Sequence, residues 1–216
     1  MISKPSPEEE RWESLLLEHA ARFYRNGWVV GTSGNLSVRL PGERIRITAS
    51  GCHKGCLVKE DLLTVDEEGR ILTETTARPS AELSLHLAVY RCIPDAGAVY
   101  HVHTIESNLV SMWAANGKIF LPPLEMLKGL GVPGRAMKTS LPVFDNNPDV
   151  SYIARQVEGS LRLKEKFLMP GFLIHLHGLT VWGKTPEEAL KHVELFDYLF
   201  RFQVMARSLG GHSLSD

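Results

Sequence analysis

No charge of one sign dominates this sequence. Its 24 Lys and Arg oppose 25 Asp and Glu, a formal net charge of −1, and the two signs are mixed throughout. No basic stripe is available to neutralise a nucleic-acid backbone, so nucleic acid is not an expected partner. Long hydrophobic runs are missing as well. No stretch approaches the ~18 consecutive apolar residues of a membrane span, and the polar, acidic N-terminal segment lacks the apolar core of a secretion signal. The expectation is a cytoplasmic protein that does not enter a membrane. Cysteine is scarce: Cys52, Cys56 and Cys92 are odd in number and lack the paired spacing of a zinc knuckle, which reads as three reduced thiols. No Pro-, Gly- or Ser-rich linker divides the chain, and neither a P-loop, a dinucleotide fingerprint nor H-E-x-x-H occurs. With 44% hydrophobic residues, the 216-residue chain can bury a sizeable core, and residues 1–216 read as one domain.

What is present is histidine in pairs. Val99-Tyr-His-Val-His-Thr104 is apolar and β-branched, which favours a strand; alternation then puts His101 and His103 on one face, with Val102 on the other. Two adjacent imidazoles make half of a metal site. Phe172-Leu-Ile-His-Leu-His-Gly178 repeats the pattern and reads as a second H-x-H strand. A catalytic zinc usually takes three protein ligands and keeps one open position, so His101, His103 and one of His175 or His177 meet that count without sulfur. A nearby carboxylate, Glu82 or Glu125, would add acid/base chemistry.

The remaining pattern frames these strands. Ser6-Pro-Glu-Glu9 is a capping box opening a helix that Gly27 ends. Gly31-Thr-Ser-Gly-Asn35 feeds a strand in which Leu36, Val38 and Leu40 alternate with polar residues, and a turn at residues 41–44 leads to a partner strand, Ile45 to Thr48. Ala49-Ser50-Gly51, followed by Lys54, offers backbone N–H groups, hydroxyls and an ammonium that suit a phosphate. Short strands surround the Asp66–Gly69 turn. Ser80 reads as the N-cap of a helix that stops before Pro94, with Glu82 in its first turn and His86 one turn on. A helix is expected from Ile105 to Ala115, then a strand ending at Leu121. Two prolines place Glu125 at the start of an ordered segment among apolar neighbours that would raise its pKa. Gly129, Gly131 and Gly134 mark a loop. A strand over 141–144 and a helix opened by Asn147-Pro148 follow, and Phe167 begins the return to the second histidine pair. Thr185-Pro-Glu-Glu188 is a second capping box. The helix after it is apolar on more than one side, as for a helix that packs on a sheet and on another subunit.

Together, Asn35 after Gly-Thr-Ser-Gly, Thr48-Ala-Ser-Gly51, Arg78-Pro-Ser-Ala-Glu82, His101-Val-His103 and His177-Gly178 resemble the class II aldolase/adducin family over nearly the whole chain. Ser50-Gly-Cys-His-Lys54 and Leu124-Glu-Met-Leu-Lys-Gly129 are similar to its dehydratase branch, which removes water from 5-methylthioribulose 1-phosphate in methionine salvage. The resemblance implies a three-layer α/β/α fold with a mostly antiparallel central sheet, one zinc per subunit near the interfaces of a homotetramer, and a small sugar phosphate as substrate. It makes His101, His103 and His177 the zinc ligands, preferring His177 because it directly precedes glycine. It gives Glu82 the place of a carboxylate that can ligate the metal or act as a base, and Glu125 that of the dehydratase acid/base. Asn35, Ser50, Gly51 and Ser80 fall on phosphate-binding positions, with Lys54 in addition. Ala81 stands where the family's aldolases often carry a second serine, which weighs against the rival reading as a sugar-phosphate aldolase; a pentulose-phosphate 4-epimerase is the other enzymatic rival. An adducin-like interaction module without catalysis is disfavoured by the complete histidine set.

Overall fold

The computed structural model describes residues 6–132, 139–163 and 169–210. The expected loop glycine Gly134 and the expected return at Phe167 lie outside them.

The first helix, α1 (Pro7–Arg25), opens with the expected capping box, in which the Ser6 hydroxyl and the Glu9 carboxylate each accept the other residue's backbone N–H. The chain then lays down β1 (Asn35–Leu40), β2 (Arg44–Thr48) and β3 (Leu62–Val65), followed by α2 (Leu83–Cys92), β4 (Ala98–Val102) and α3 (Ile105–Ser111). After them come β5 (Lys118–Leu121), β6 (Thr139–Phe144), α4 (Val150–Arg162), β7 (Gly171–Ile174), β8 (Gly178–Gly183) and α5 (Pro186–Ser208). The strands form one open sheet in the order β3-β2-β1-β4-β8-β7-β6-β5, antiparallel at every neighbour except β6 beside β7. This is the expected mostly antiparallel sheet.

Two apolar layers cover it. Period-2 alternation sends Leu36 and Val38 of β1, Tyr100 and Val102 of β4, and Val181 of β8 to one face, where they pack with Leu16 and Phe23 of α1 and Phe196 and Phe200 of α5. The opposite face carries Ile45 and Ile47 of β2, Val99 of β4 and Trp182 of β8 against Leu85 and Val89 of α2 and Val157 of α4. Both faces of the central strands are therefore buried, and the polar side of β1, with Asn35 and Ser37, lies inside the protein.

The elements depart from the sequence expectations at five places. Helix α2 starts at Leu83 rather than behind Ser80: Pro79 is bridged to Ala49, and a separate turn, with the Leu83 N–H donating to Ser80 O, intervenes before the helix, so Glu82 takes the cap position. Helix α3 stops at Ser111, four residues early, before the Asn116-Gly117 turn into β5. Asp149 caps α4 with its own side chain, two residues beyond the expected Asn147. At α5, Thr185 accepts the Glu188 N–H, but the Glu188 carboxylate turns to the Lys184 N–H, so the second capping box is only half made. Lastly, His175 and His177 do not lie on a strand. Strand β7 ends at Ile174, and residues 175–177 form the hairpin turn into β8, with Leu176 at φ +51°.

Candidate metal centre

The register of the sheet brings the site together at one end of its centre. Asn35 of β1 pairs with His101 of β4, and His101 pairs in turn with Thr180 of β8. His103, one step past β4, is pinned by its backbone N–H donating to Trp28 O at 2.8 Å. Closing the hairpin at the same end, the His177 N–H donates to Ile174 O at 3.1 Å. The turn that removes His177 from a strand is what aims its ring back at β4. Gly178 is required there: a Cβ would lie 2.4 Å from Val102 O and 3.1 Å from His101 Cε1. Gly34, at φ +71°, lets its loop close on the same strand, where a Cβ would lie 2.9 Å from His101 O.

The rings of His101, His103 and His177 stand edge to face with centroids 4.7 to 5.1 Å apart. Glu82 completes the group, its Oε1 2.7 Å from His177 Nε2 and 3.7 Å from His101 Nε2. One ligand atom from each of these four residues lies within 4.8 Å of all the others. Nε2 of both His101 and His103 is buried with no hydrogen-bond partner among the described residues. A ring that donates Nδ1–H to Thr180 Oγ1, 2.8 Å away, leaves the Nε2 lone pair of His101 facing its neighbours. Buried polar atoms normally find partners, so converging orphan nitrogens beside a carboxylate fit a bound cation.

Electrostatics point the same way. Burial lowers the pKa of His101 to about 4 and of His103 to about 3, with the Glu82 charge only partly offsetting it. Both are neutral at pH 7, the form in which imidazole binds metal. Burial works to raise the Glu82 carboxyl, but the field of His101 and hydrogen bonds from His177 and Asn35 outweigh it and hold the group well below the usual carboxylate range.

Of the two hairpin histidines, His177 joins the cluster and His175 stays outside it. Glu125 is also elsewhere. Its side chain is 74% exposed at the start of a 3₁₀ turn, Glu125–Leu130, and pairs with Lys128 at 2.5 Å. The expected apolar surroundings are therefore not found within this chain. The phosphate-type residues gather on the loops around Glu82: the Ser50 N–H donates to Arg78 O, and Ser80 Oγ accepts the Glu82 N–H. Lys54 is buried, donating to Thr32 O at 3.1 Å and Cys52 O at 2.8 Å, so it ties the two small-residue loops together. Burial lowers its pKa. Asn35 differs from expectation: its amide is buried and engaged by Glu82 and His86 rather than turned toward an open anion site. The sequence reading missed Thr180, whose only signal was a hydroxyl on an otherwise apolar strand, and the partners of His86.

The family model described as the class II aldolase and adducin N-terminal domain matches residues 14–204. The chain belongs to the class II aldolase and adducin family. Among relatives in this family, the methylthioribulose-1-phosphate dehydratase of Microcystis aeruginosa is 42% identical over 193 residues, covering 88% of this chain and 94% of that one. The corresponding enzyme of Geobacillus kaustophilus is 36% identical, covering 90% and 91%. Among solved structures, L-fuculose-1-phosphate aldolase from Thermus thermophilus superposes with a TM-score of 0.76 at 24% identity, covering 93% of this chain and 96% of that one. A sugar-phosphate aldolase from Thermotoga maritima gives 0.68 at 17%, covering 95% and 98%. At these identities the structures establish the fold of the family.

His86, fully buried with its pKa lowered to about 4, joins His101 and His103 as an imidazole kept neutral by burial. Each folded pKa lies below the usual 6.5, so the unfolded chain takes up protons first, and the stability these groups confer is lost as pH falls from 6.5 toward 4. The unfolding free energy of the metal-free protein should fall by roughly 2 kcal/mol for each such group between pH 7 and pH 4.5, read as a lower urea midpoint. A midpoint unchanged over that range would contradict the buried neutral assignment.

Proposed function

We propose that this protein is a zinc-dependent lyase that dehydrates 5-methylthioribulose 1-phosphate to 2,3-diketo-5-methylthiopentyl 1-phosphate, a step of methionine salvage. The observation that carries this reading is the pairing of two facts: 42% identity to a methylthioribulose-1-phosphate dehydratase across nearly its whole length, and a preorganised His101/His103/His177/Glu82 cluster with two unpartnered buried nitrogens. Three histidines hold the zinc, with Glu82 beside them. Zinc in this setting supplies Lewis acidity toward a ketose carbonyl oxygen. The chain's own residues do the rest. Ser50, Gly51 and Ser80, on segments joined by the Ser50 N–H to Arg78 O hydrogen bond, hold the phosphate through the Gly51 N–H and the two serine hydroxyls. Asn35 acts on the carboxylate side rather than on the phosphate. Glu82 or Glu125 takes the proton from carbon 3, Glu125 gives a proton to the hydroxyl that leaves carbon 4 as water, and the resulting enol becomes the 2,3-diketone by losing its hydroxyl proton and gaining one at carbon 4.

Glu125 reaches a site across a subunit interface in this reading. What supports this is its exposure away from its own chain's cluster, together with apolar side chains left at the surface of α3 and α5: Ile105 and Leu109 on the first, Tyr198, Phe202 and Met205 on the second. Exposed apolar patches of this kind mark association surfaces. The assembly proposed is a homotetramer, with one zinc per subunit.

Zinc-loaded protein given 5-methylthioribulose 1-phosphate should yield a product lighter by one water in the mass spectrum. Glu125→Gln should lower that turnover by ~10² to 10⁴-fold with zinc retained. Dihydroxyacetone phosphate among the products would mean carbon-carbon cleavage and overturn the dehydratase assignment. Mixing tests the shared site: Glu125→Gln and His101→Ala subunits, each inactive alone, should regain activity when unfolded and reassembled together. No recovery in demonstrably mixed oligomers would place Glu125 in its own chain's site or outside the chemistry.

A further inference from the structure

Behind Glu82 a chain of buried polar groups runs into the core under α2. Asn35 Nδ2 donates to Glu82 Oε2 in a short hydrogen bond. Asn35 Oδ1 lies 2.5 Å from His86 Nε2, His86 Nδ1 lies 2.7 Å from Ser37 Oγ, and Ser37 Oγ lies 2.8 Å from the Tyr90 hydroxyl. Asn35, Ser37, His86 and Tyr90 are each no more than 3% exposed. With His86 neutral, one placement of hydrogens satisfies the whole series. An ionised Glu82 can only accept, so the Asn35 amide must present its nitrogen to it and its oxygen to His86. His86 must then carry its proton on Nε2 and accept on Nδ1 from the Ser37 hydroxyl. Ser37, having given its proton away, accepts from Tyr90.

We propose that His86 is a positioning residue that locks the Asn35 amide, and through it aims the Glu82 carboxylate at the three-histidine cluster. Without the His86 N–H, the buried Asn35 oxygen loses its partner and the amide is free to rotate away in search of another, so its nitrogen no longer holds Glu82 toward His101 and His177. Helix geometry makes the coupling possible. Glu82 caps α2 and His86 follows one turn later on the same face, so both reach Asn35, which β1 holds directly opposite His101. Hydrogen-bonding partners behind metal-ligating groups typically control affinity by 10 to 100-fold. The inference rests on Glu82 belonging to the metal site.

The test compares the metal affinity of full-length variants by zinc competition with a chromophoric chelator, alongside the visible spectrum of the cobalt-loaded protein. Glu82→Gln and His86→Leu should both weaken zinc binding by ~10 to 100-fold and change the cobalt bands in the same way. His86→Gln places an amide N–H where Nε2 was and should restore affinity to within about threefold. Equal loss in His86→Gln and His86→Leu would mean that only core packing is at stake and would overturn the proposal. Should His86→Leu fail to fold, Ser37→Ala decides: it removes the donor that fixes the His86 tautomer, and should weaken zinc in the same sense but less. Normal zinc affinity in His86→Leu or Ser37→Ala, with Glu82→Gln impaired, overturns the positioning role alone. Normal affinity in Glu82→Gln removes Glu82 from the metal site, and the inference with it.

Discussion

Leaving a buried polar nitrogen without a partner costs about 1 to 3 kcal/mol, and this fold does so twice within a few ångströms, at His101 and His103. The rest of the architecture follows from keeping those nitrogens close, dry and facing one another. The β1–β4–β8 register places Asn35, His101 and Thr180 side by side. The tight turn at residues 175–177 brings in the third imidazole, and Gly178 removes the side chain that would otherwise collide with β4. The carboxylate comes from a helix cap rather than from a helix interior, so Glu82 is not committed to its own backbone and its side chain is available to the histidines.

Two charged groups are buried near the centre, and they are handled differently. Glu82 is held by three side-chain partners, Asn35, His177 and His101, which together outweigh the cost of its burial. Lys54 is held by backbone carbonyls of two separate loops. Loops rich in small residues have few apolar contacts to fix them, and a buried ammonium bridging Thr32 and Cys52 fixes their separation. Side-chain hydrogen bonds therefore hold the histidine side of the site together, and one lysine joins the loops beside it.

Much of this was legible in the sequence, for identifiable reasons. His101 lies on β4 and His103 one residue past its end, in an apolar, β-branched run that reads plainly as extended chain, so their shared face could be read directly. His177 was found for a partly wrong reason. Periodicity extended β7 through it, whereas the chain turns after Ile174, and a three-residue turn of His-Leu-His carries none of the usual Gly or Asn signals at its left-handed position, Leu176. Ser80 looked like a helix cap, but tertiary pairing of Pro79 with Ala49 overrode that local preference. The polar side of β1 read as an ordinary alternating strand. Only the presence of α2 above it shows that Asn35 and Ser37 are buried and bonded to His86. Contacts between residues some 50 positions apart leave no local mark. Glu125 is the clearest limit, since its neighbours in sequence are apolar while its carboxylate stands at the surface.

The central claim is that His101, His103 and His177 hold a zinc ion, without sulfur. X-ray absorption at the zinc edge of the loaded protein tests it most directly. The account predicts a first shell of nitrogen and oxygen at ~2.0 to 2.2 Å with the outer-shell scattering of about three imidazoles. A scatterer at ~2.3 Å, the distance of a thiolate sulfur, would place the metal at cysteine and contradict it.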